Sequence, residues 1–152
     1  MPVYNPKLGL EEAIESILNQ TYKNIELIII DDCSSKKYKK IISQYNSSYL
    51  NVKVLTNKKN RGLVYCLNRG ISESKGDYVA RMDSDDFSLP NRISNQINYM
   101  NSNLEVSILG TQCLFCDQYL NPIYESNLPL DNSLIQFSLL TSNPLIHPSI
   151  IF

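Results

Sequence analysis

The sequence predicts an α/β domain with a mixed, mainly parallel, Rossmann-like sheet flanked by helices. Three observations carry this. Ile25-Glu26-Leu27-Ile28-Ile29-Ile30 is nearly continuously apolar and runs into Asp31-Asp32, the pattern of a strand buried on both faces of a parallel sheet. Tyr78-Val79-Ala80, set off by Gly76-Asp77, is a second β-favouring run, and it too leads into carboxylates: Asp83, Asp85 and Asp86. Between such runs lie amphipathic helical stretches of crossover length, which favours a doubly wound half-domain over a sandwich or a bundle.

At the start, Met1-Pro2-Val3-Tyr4-Asn5-Pro6 offers only Val3 and Tyr4 as a first strand before Asn5-Pro6 turns, so that strand is expected to be cut short. Leu10, Ala13, Ile14, Ile17 and Leu18 repeat at three and four and predict a helix ending near Asn19-Gln20. Ser34 and Ser35 are placed to cap a helix whose apolar side is Tyr38, Ile41, Ile42 and Tyr45. Val52-Lys53-Val54-Leu55 is a third strand, followed by the polar loop Asn57 to Gly62 and a helix through Leu63, Cys66, Leu67 and Ile71. Pro90 is expected in the first turn of a helix through Ile93, Ile97 and Met100. Farther on, Val106 to Thr111 and Leu114 to Cys116 read as strands and Leu134 to Leu140 as a short helix broken by Asn143-Pro144. Ile150-Ile151-Phe152 reads as part of a last strand.

The chain has 152 residues, 43% hydrophobic and 19% charged, enough for one domain with a real core, so residues 1–152 are read as a single unit. Fourteen basic against fifteen acidic residues leave a formal charge of -1, which provides no field to gather nucleic acid. Lys36, Lys37, Lys39 and Lys40 form a local basic patch, read as a solvated helix face or as a contact with an anionic membrane surface. No apolar run is long enough to span a bilayer, and a cytoplasmic location is expected. Cys113 and Cys116 have metal-like spacing, but no second pair completes a zinc set, and the four cysteines are expected as reduced thiols.

The chemistry concentrates in Arg81-Met82-Asp83-Ser84-Asp85-Asp86. Three carboxylates within four residues repel one another, and they are tolerable in water or around a hard divalent cation such as Mg²⁺ or Mn²⁺. Capping and solvation explain many such clusters. A second acidic pair at an equivalent strand tip, Asp31-Asp32, favours the cation, because open α/β sheets bind ligands in the crevice at the carboxyl ends of their strands.

Several short stretches together resemble the family 2 glycosyltransferases with the GT-A fold. They are Pro2-Val3-Tyr4-Asn5, Ser16 to Tyr22, Glu26 to Asp32, Asn60-Arg61-Gly62, Gly76-Asp77-Tyr78, Arg81 to Asp86, and Asn143-Pro144 with His147-Pro148-Ser149. The resemblance runs in order over nearly the whole chain. It implies a GT-A domain incomplete at both ends, with residues 1–100 as the nucleotide-sugar-binding half and 101–152 as the start of the acceptor-side half. By the same resemblance Tyr4 stacks on the nucleotide base, with Pro2 and Val3 supplying backbone around it. Asp32 accepts a hydrogen bond from a uracil-type base edge, with Asp31 as its support. Asp83-Ser84-Asp85 matches the family's Asp-x-Asp motif, with Asp83 and Ser84 near the ribose and Asp85 on a Mn²⁺ or Mg²⁺ that bridges the donor diphosphate.

The implied activity is metal-dependent, inverting transfer from a nucleoside-diphosphate sugar, UDP-linked by preference, to a glycan or lipid-linked acceptor. That places the chain in polysaccharide and cell-envelope synthesis at the inner face of the membrane. Two departures matter. Cys33 stands where the family favours Gly, and the family's catalytic base resembles an acidic motif beyond the His-Pro-Ser segment, hence beyond Phe152. The alternative reading is therefore a nucleotide-sugar-binding module without transfer activity. Arg61 as a diphosphate partner and His147 as a ligand are weighed against ordinary solvated and structural roles. With its first strand short, the apolar face of the first helix is expected to promote self-association.

Overall fold

The computed structural model describes residues 1–152. At its centre is a parallel sheet of β1 (Pro2–Val3), β2 (Leu27–Asp31) and β3 (Val52–Thr56), in that order. Every residue of β2 is buried. Because successive strand residues point to opposite faces, Leu27 and Ile29 enter one apolar cluster and Ile28 and Ile30 another, which is why the segment has no polar alternation.

Helix α1 (Leu10–Leu18) lays Leu10, Ala13, Ile14 and Ile17 onto the first face, where they meet Val3, Val52, Met82 and Ile42 of α2 (Lys36–Ser48). Helix α3 (Leu63–Glu73) covers the other face through Cys66. Each fully buried Ile or Leu of this layer contributes about 1.5–3 kcal/mol relative to exposure. Helix α4 (Arg92–Ser102) packs Ile93, Ile97 and Met100 around Ile151. No helix is long and apolar enough to cross a membrane.

Four expectations are corrected. Residues 78–82 do not join the parallel sheet: Ala80 bridges Ile151 in antiparallel sense, with Val79 and Phe152 exchanging backbone bonds and the Arg81 N–H donating to Ile150 O at 2.9 Å. An apolar cavity of about 440 Å³, bounded by Met1 and Pro2 on one side and Val79 to Met82 on the other, lies where β1 and this segment would have met. Residues 106–111 contribute only a bridge from Leu109 to Ile151, because the 3₁₀ turn His147–Ser149 holds its partner to a short run. Ser35 occupies the N-cap of α2 without a side-chain bond, and the Ser34 hydroxyl turns back to accept from the Asn5 N–H and donate to Val3 O. Pro90 precedes α4, whose N-cap is Asn91; the helix starts two residues later than a proline in the first turn implies.

The remaining elements are peripheral. An antiparallel hairpin joins β4 (Leu114–Cys116) to β5 (Pro122–Glu125), held in part by Phe115 stacked on Tyr124 at 4.4 Å between centroids. Helix α5 (Asn132–Ser138) buries none of its residues. The four cysteines are free.

Candidate active site

The exits of β1 and β2 are tied together. The Asp32 N–H donates to Val3 O at 2.8 Å, and Asn5, at φ 44°, accepts from the Ser35 N–H at 2.8 Å. Val3 is buried, so its contribution at this edge is its backbone; Pro2 is half-buried, and the Tyr4 side chain stands out at 55% exposure. That exposure leaves the ring available as a stacking platform. Cys33 follows at φ 67°, a left-handed conformation that glycine adopts without steric cost and other residues adopt at a price of roughly 1 kcal/mol or more.

Asp32 lies behind this edge, 3% exposed. Its Oδ1 accepts from Asn57 Nδ2 at 2.7 Å and from the Arg61 N–H at 2.8 Å. Its Oδ2 accepts from Arg61 N–H at 3.0 Å and Gly62 N–H at 2.8 Å. Burial alone would push the Asp32 carboxyl up, but these hydrogen bonds outweigh it and hold the group below its ordinary value. Gly62, at φ 84° and ψ 165°, is what lets two consecutive N–H groups point at one carboxylate, since that region is essentially closed to side chains. The same loop shows Arg61 to solvent with its guanidinium 4.3 Å from the Tyr65 ring centroid, a cation–π contact. Asp31 is buried; one of its oxygens accepts from the Ser34 N–H at 2.8 Å and the other has no partner.

The second acidic group behaves differently. Asp83 is paired with Arg81 at 2.9 Å, while Asp85 and Asp86 are exposed and their carboxylates make no hydrogen bond or ion pair. Desolvation first, and then neighbouring carboxylates, push both Asp83 and Asp86 upward; Arg81 opposes this at both sites and Arg92 at Asp86. Ser84 is half-buried between them. The loop is seated on the start of α1. Gly9, the N-cap of that helix at φ 82°, lies so close that a Cβ there would stand 3.7 Å from the Asp85 Cα.

Gln20, 1% exposed, fixes the far side of this loop. Its Nε2 lies within hydrogen-bonding reach of Ser16 O, Ser88 O, Ser88 Oγ and Leu89 O, while its Oε1 accepts from the Ile93 N–H at 3.0 Å. Ser16 Oγ accepts from the Ser88 N–H. Arg92 adds a bond from Nη2 to Arg81 O at 2.6 Å. The sequence reading assigns no site role to Gln20, Asn57 or Arg69. Gln20 sits among the matched stretches, but its long-range partners have no local signature.

Asp83, Asp85 and Asp86 share one loop, yet no three acidic, histidine or cysteine side chains converge as a ready-made metal cage. The donor set does fit a hard cation shared with a ligand: Asp85 offers free carboxylate oxygens beside two further carboxylates. Asp117 and Asp131 are committed elsewhere, Asp117 to Asn121 and the Tyr119 N–H, Asp131 to the first turn of α5. His147 is exposed and makes no side-chain hydrogen bond.

This α/β layer has the GT-A glycosyltransferase fold of its structural neighbours. The family model for Glycosyl transferase family 2 matches residues 1–151, and the chain belongs to that family. A glycosyltransferase of Haemophilus influenzae, itself uncharacterised, is 32% identical over 147 residues, covering 97% of this chain and 43% of its own. The amylovoran biosynthesis glycosyltransferase AmsE of Erwinia amylovora is 32% identical over 144 residues, 95% of this chain and 54% of its own. The chain thus spans about half the length of these relatives. Among solved structures, residues 1–349 of S. aureus TarS superpose with a TM-score of 0.62 at 24% identity, over 68% of this chain and 31% of that one. A mannosyltransferase of Pyrobaculum calidifontis, in complex with GDP-Man and Mn²⁺, gives 0.61 at 18% identity, over 72% and 32%. At these identities the likeness concerns the fold.

Proposed function

We propose that residues 1–152 form the donor-binding part of a glycosyltransferase that transfers a sugar, with inversion, from a UDP-sugar to a glycan or lipid-linked acceptor. The observation that carries this reading is the free Asp85 carboxylate on a loop seated against Gly9 of α1. Tyr4 takes the base on its exposed ring, Asp32 offers a carboxylate to the base edge, and Asp83 and Ser84 lie toward the ribose. Asp85 holds Mn²⁺ or Mg²⁺. When bound, that cation supplies charge stabilisation for the departing nucleoside diphosphate. Residues 1–100 carry these donor contacts, and residues 101–152 lead toward the acceptor. TarS has been solved with UDP-GlcNAc and the mannosyltransferase with GDP-Man and Mn²⁺, which supports a nucleotide-sugar ligand of this kind.

Within 1–152 Asp117 and Asp131 serve local structure, Asp117 in the turn of the β4–β5 hairpin and Asp131 as the N-cap of α5. The exposed Lys36, Lys37, Lys39 and Lys40 on α2 suit a peripheral contact with an anionic membrane face. The apolar face of α1 expected to drive self-association is instead buried in the core, Leu10, Ile14 and Ile17 included, and the exposed apolar side chains of α5 are the surface that suits it. The test is titration calorimetry with UDP-sugars, with Mn²⁺ and with chelator, alongside an assay for UDP and for labelled product with glycan and lipid-linked acceptors. Mn²⁺-dependent donor binding is expected. Equal affinity with and without chelator would sink the cation assignment.

A further inference from the structure

We propose that the apolar cavity beside β1 is the seat of a further length of parallel strand: an extended apolar segment of about four residues, carried on the Met1 nitrogen and lying between β2 and residues 78–82. The inference concerns the sheet and does not depend on the donor reading.

The register of the sheet points into the cavity. Along β2 every second residue faces β1: the Asp32 N–H donates to Val3 O at 2.8 Å, the Ile30 N–H donates to Met1 O at 2.9 Å, and Ile28 O accepts from the Met1 nitrogen at 2.8 Å. One rung further back stand the Ile28 N–H and the Glu26 C=O, and neither has a hydrogen-bond partner. The opposite bank repeats this. Val79 and Arg81 bond Phe152 and Ile150, so the N–H and C=O of Ala80 turn away from that ladder, and they too are unpaired. Open strand edges on both sides of one gap are a template for a strand, which would give each of these groups its partner.

The walls select an apolar occupant. Ile17 of α1 and Ile97 of α4 line the cavity of about 440 Å³ on one side, and Val64, Leu67 and Ile71 of α3 line it on the other. Val64 is 72% exposed and Ile71 44%, so α3, which buries only Cys66, holds much of its apolar side over the cavity. A strand there would be covered on both faces, which calls for apolar side chains at successive positions, as in β2.

The Met1 amine marks the point of attachment. Burial pushes its pKa down to about 5, whereas a peptide N–H in its place would make the same bond to Ile28 O with no charge to desolvate. A parallel strand running alongside Ile25 to Ile28 ends at this nitrogen. A separate chain could not run on past it, because β1 occupies the next positions, and would have to end there on a second buried charge. The occupant is therefore a segment joined to Met1 and not a second copy.

The test places Val-Ile-Val-Val before Met1, released from a cleavable leader, and compares it with Ser-Gly-Ser-Gly in the same position. Both turn the amine into an amide, so their difference reads the strand alone. Amide exchange followed by NMR at Ile28 and Ala80 should slow by about tenfold or more with the apolar extension and stay within about twofold with the polar one. The folding equilibrium constant from urea titration should exceed that of the polar extension by about tenfold or more. The free acetylated and amidated Val-Ile-Val-Val peptide should do neither at about millimolar concentration, because it lacks the effective concentration that the join provides. Should the longer extension precipitate, Val-Val, which reaches the Ile28 rung, carries the test through the Ile28 amide.

Equal effects of the apolar and polar extensions would overturn the proposal, leaving only the relief of a buried amine. So would a stabilised chain whose Ile28 and Ala80 amides exchange as before, which would place the segment elsewhere. Protection of these amides that grows with the concentration of the unextended chain would overturn it in favour of a second copy.

Discussion

Asp32 and Asp85 are the same residue type, each placed just after an apolar run, and they sit in opposite physical states. Around Asp32 the protein supplies three N–H donors, buries the carboxylate and lowers its pKa. Around Asp85 it supplies two more carboxylates and leaves the group in water, while desolvation first, and then the shared negative charge, push Asp83 and Asp86 up. The first arrangement is complete as folded, and its charge holds a loop in shape. The second is electrostatically unfinished, and what would complete it is positive charge from outside. The two carboxylates thus differ in who supplies the compensating donors: the fold itself at Asp32, and no group of the fold at Asp85.

The largest expected effect breaks the first state. Asp32→Ala strands the Arg61 and Gly62 N–H groups and the Asn57 amide, which should cost about 3 kcal/mol of stability by urea denaturation. A loss under about 1 kcal/mol would show that the loop needs no anchor. Asp85→Ala should leave stability within about 0.5 kcal/mol of the unmodified chain. Mn²⁺-dependent donor affinity in that variant should fall by about 1.5–3 kcal/mol. A stability loss matching that of Asp32→Ala would erase the contrast.

The pH dependence sharpens it. Asp32 has a lowered folded pKa, so its contribution is present above the unfolded value near 3.9 and is lost as pH falls through the lower folded one. Asp86 has a raised folded pKa: the native state keeps its proton longer, and stability drains away as pH rises through that value. Asp86→Asn should therefore match the unmodified chain near pH 3 and be slightly more stable at pH 7, with the gap narrowing when Mn²⁺ is added. A gap that widened toward acid would reverse the sign of this argument. The smallest effect expected is from Cys33→Gly, which relieves the φ of 67° beside Asp32 and should raise the unfolding free energy from urea denaturation by about 0.5 kcal/mol after the added chain entropy is counted.

How much of this was legible in sequence depends on range. Ile25 to Asp31 and the repeat from Leu10 to Leu18 encode their structure locally, and helices α1 and α3 and strands β2 and β3 fall close to the expected places. Tyr78-Val79-Ala80 carries no register: a three-residue apolar run suits a parallel or an antiparallel neighbour equally, and the partner of Ala80 is Ile151, seventy-one positions away. Val106 to Thr111 has β composition, but composition cannot reveal that the opposing segment is interrupted by a 3₁₀ turn. At the site, both acidic groups were visible as letters. Their opposite environments were not, because the donors to Asp32 come from a loop whose shape is set by the dihedrals of Gly62 and by Arg69 on a different element.

Gln20 carries a consequence in time. Its side chain joins α1, the chain after the acidic loop and the first turn of α4, so none of the three can depart without dropping bonds to the other two. Amide protons of Ser88 and Ile93, which donate to the Ser16 hydroxyl and the Gln20 carbonyl, should then exchange with deuterium at one common, slow rate. The acidic loop would hold its pose between encounters with ligand and move only when α1 and the start of α4 open with it, a clock wound by one uncharged side chain.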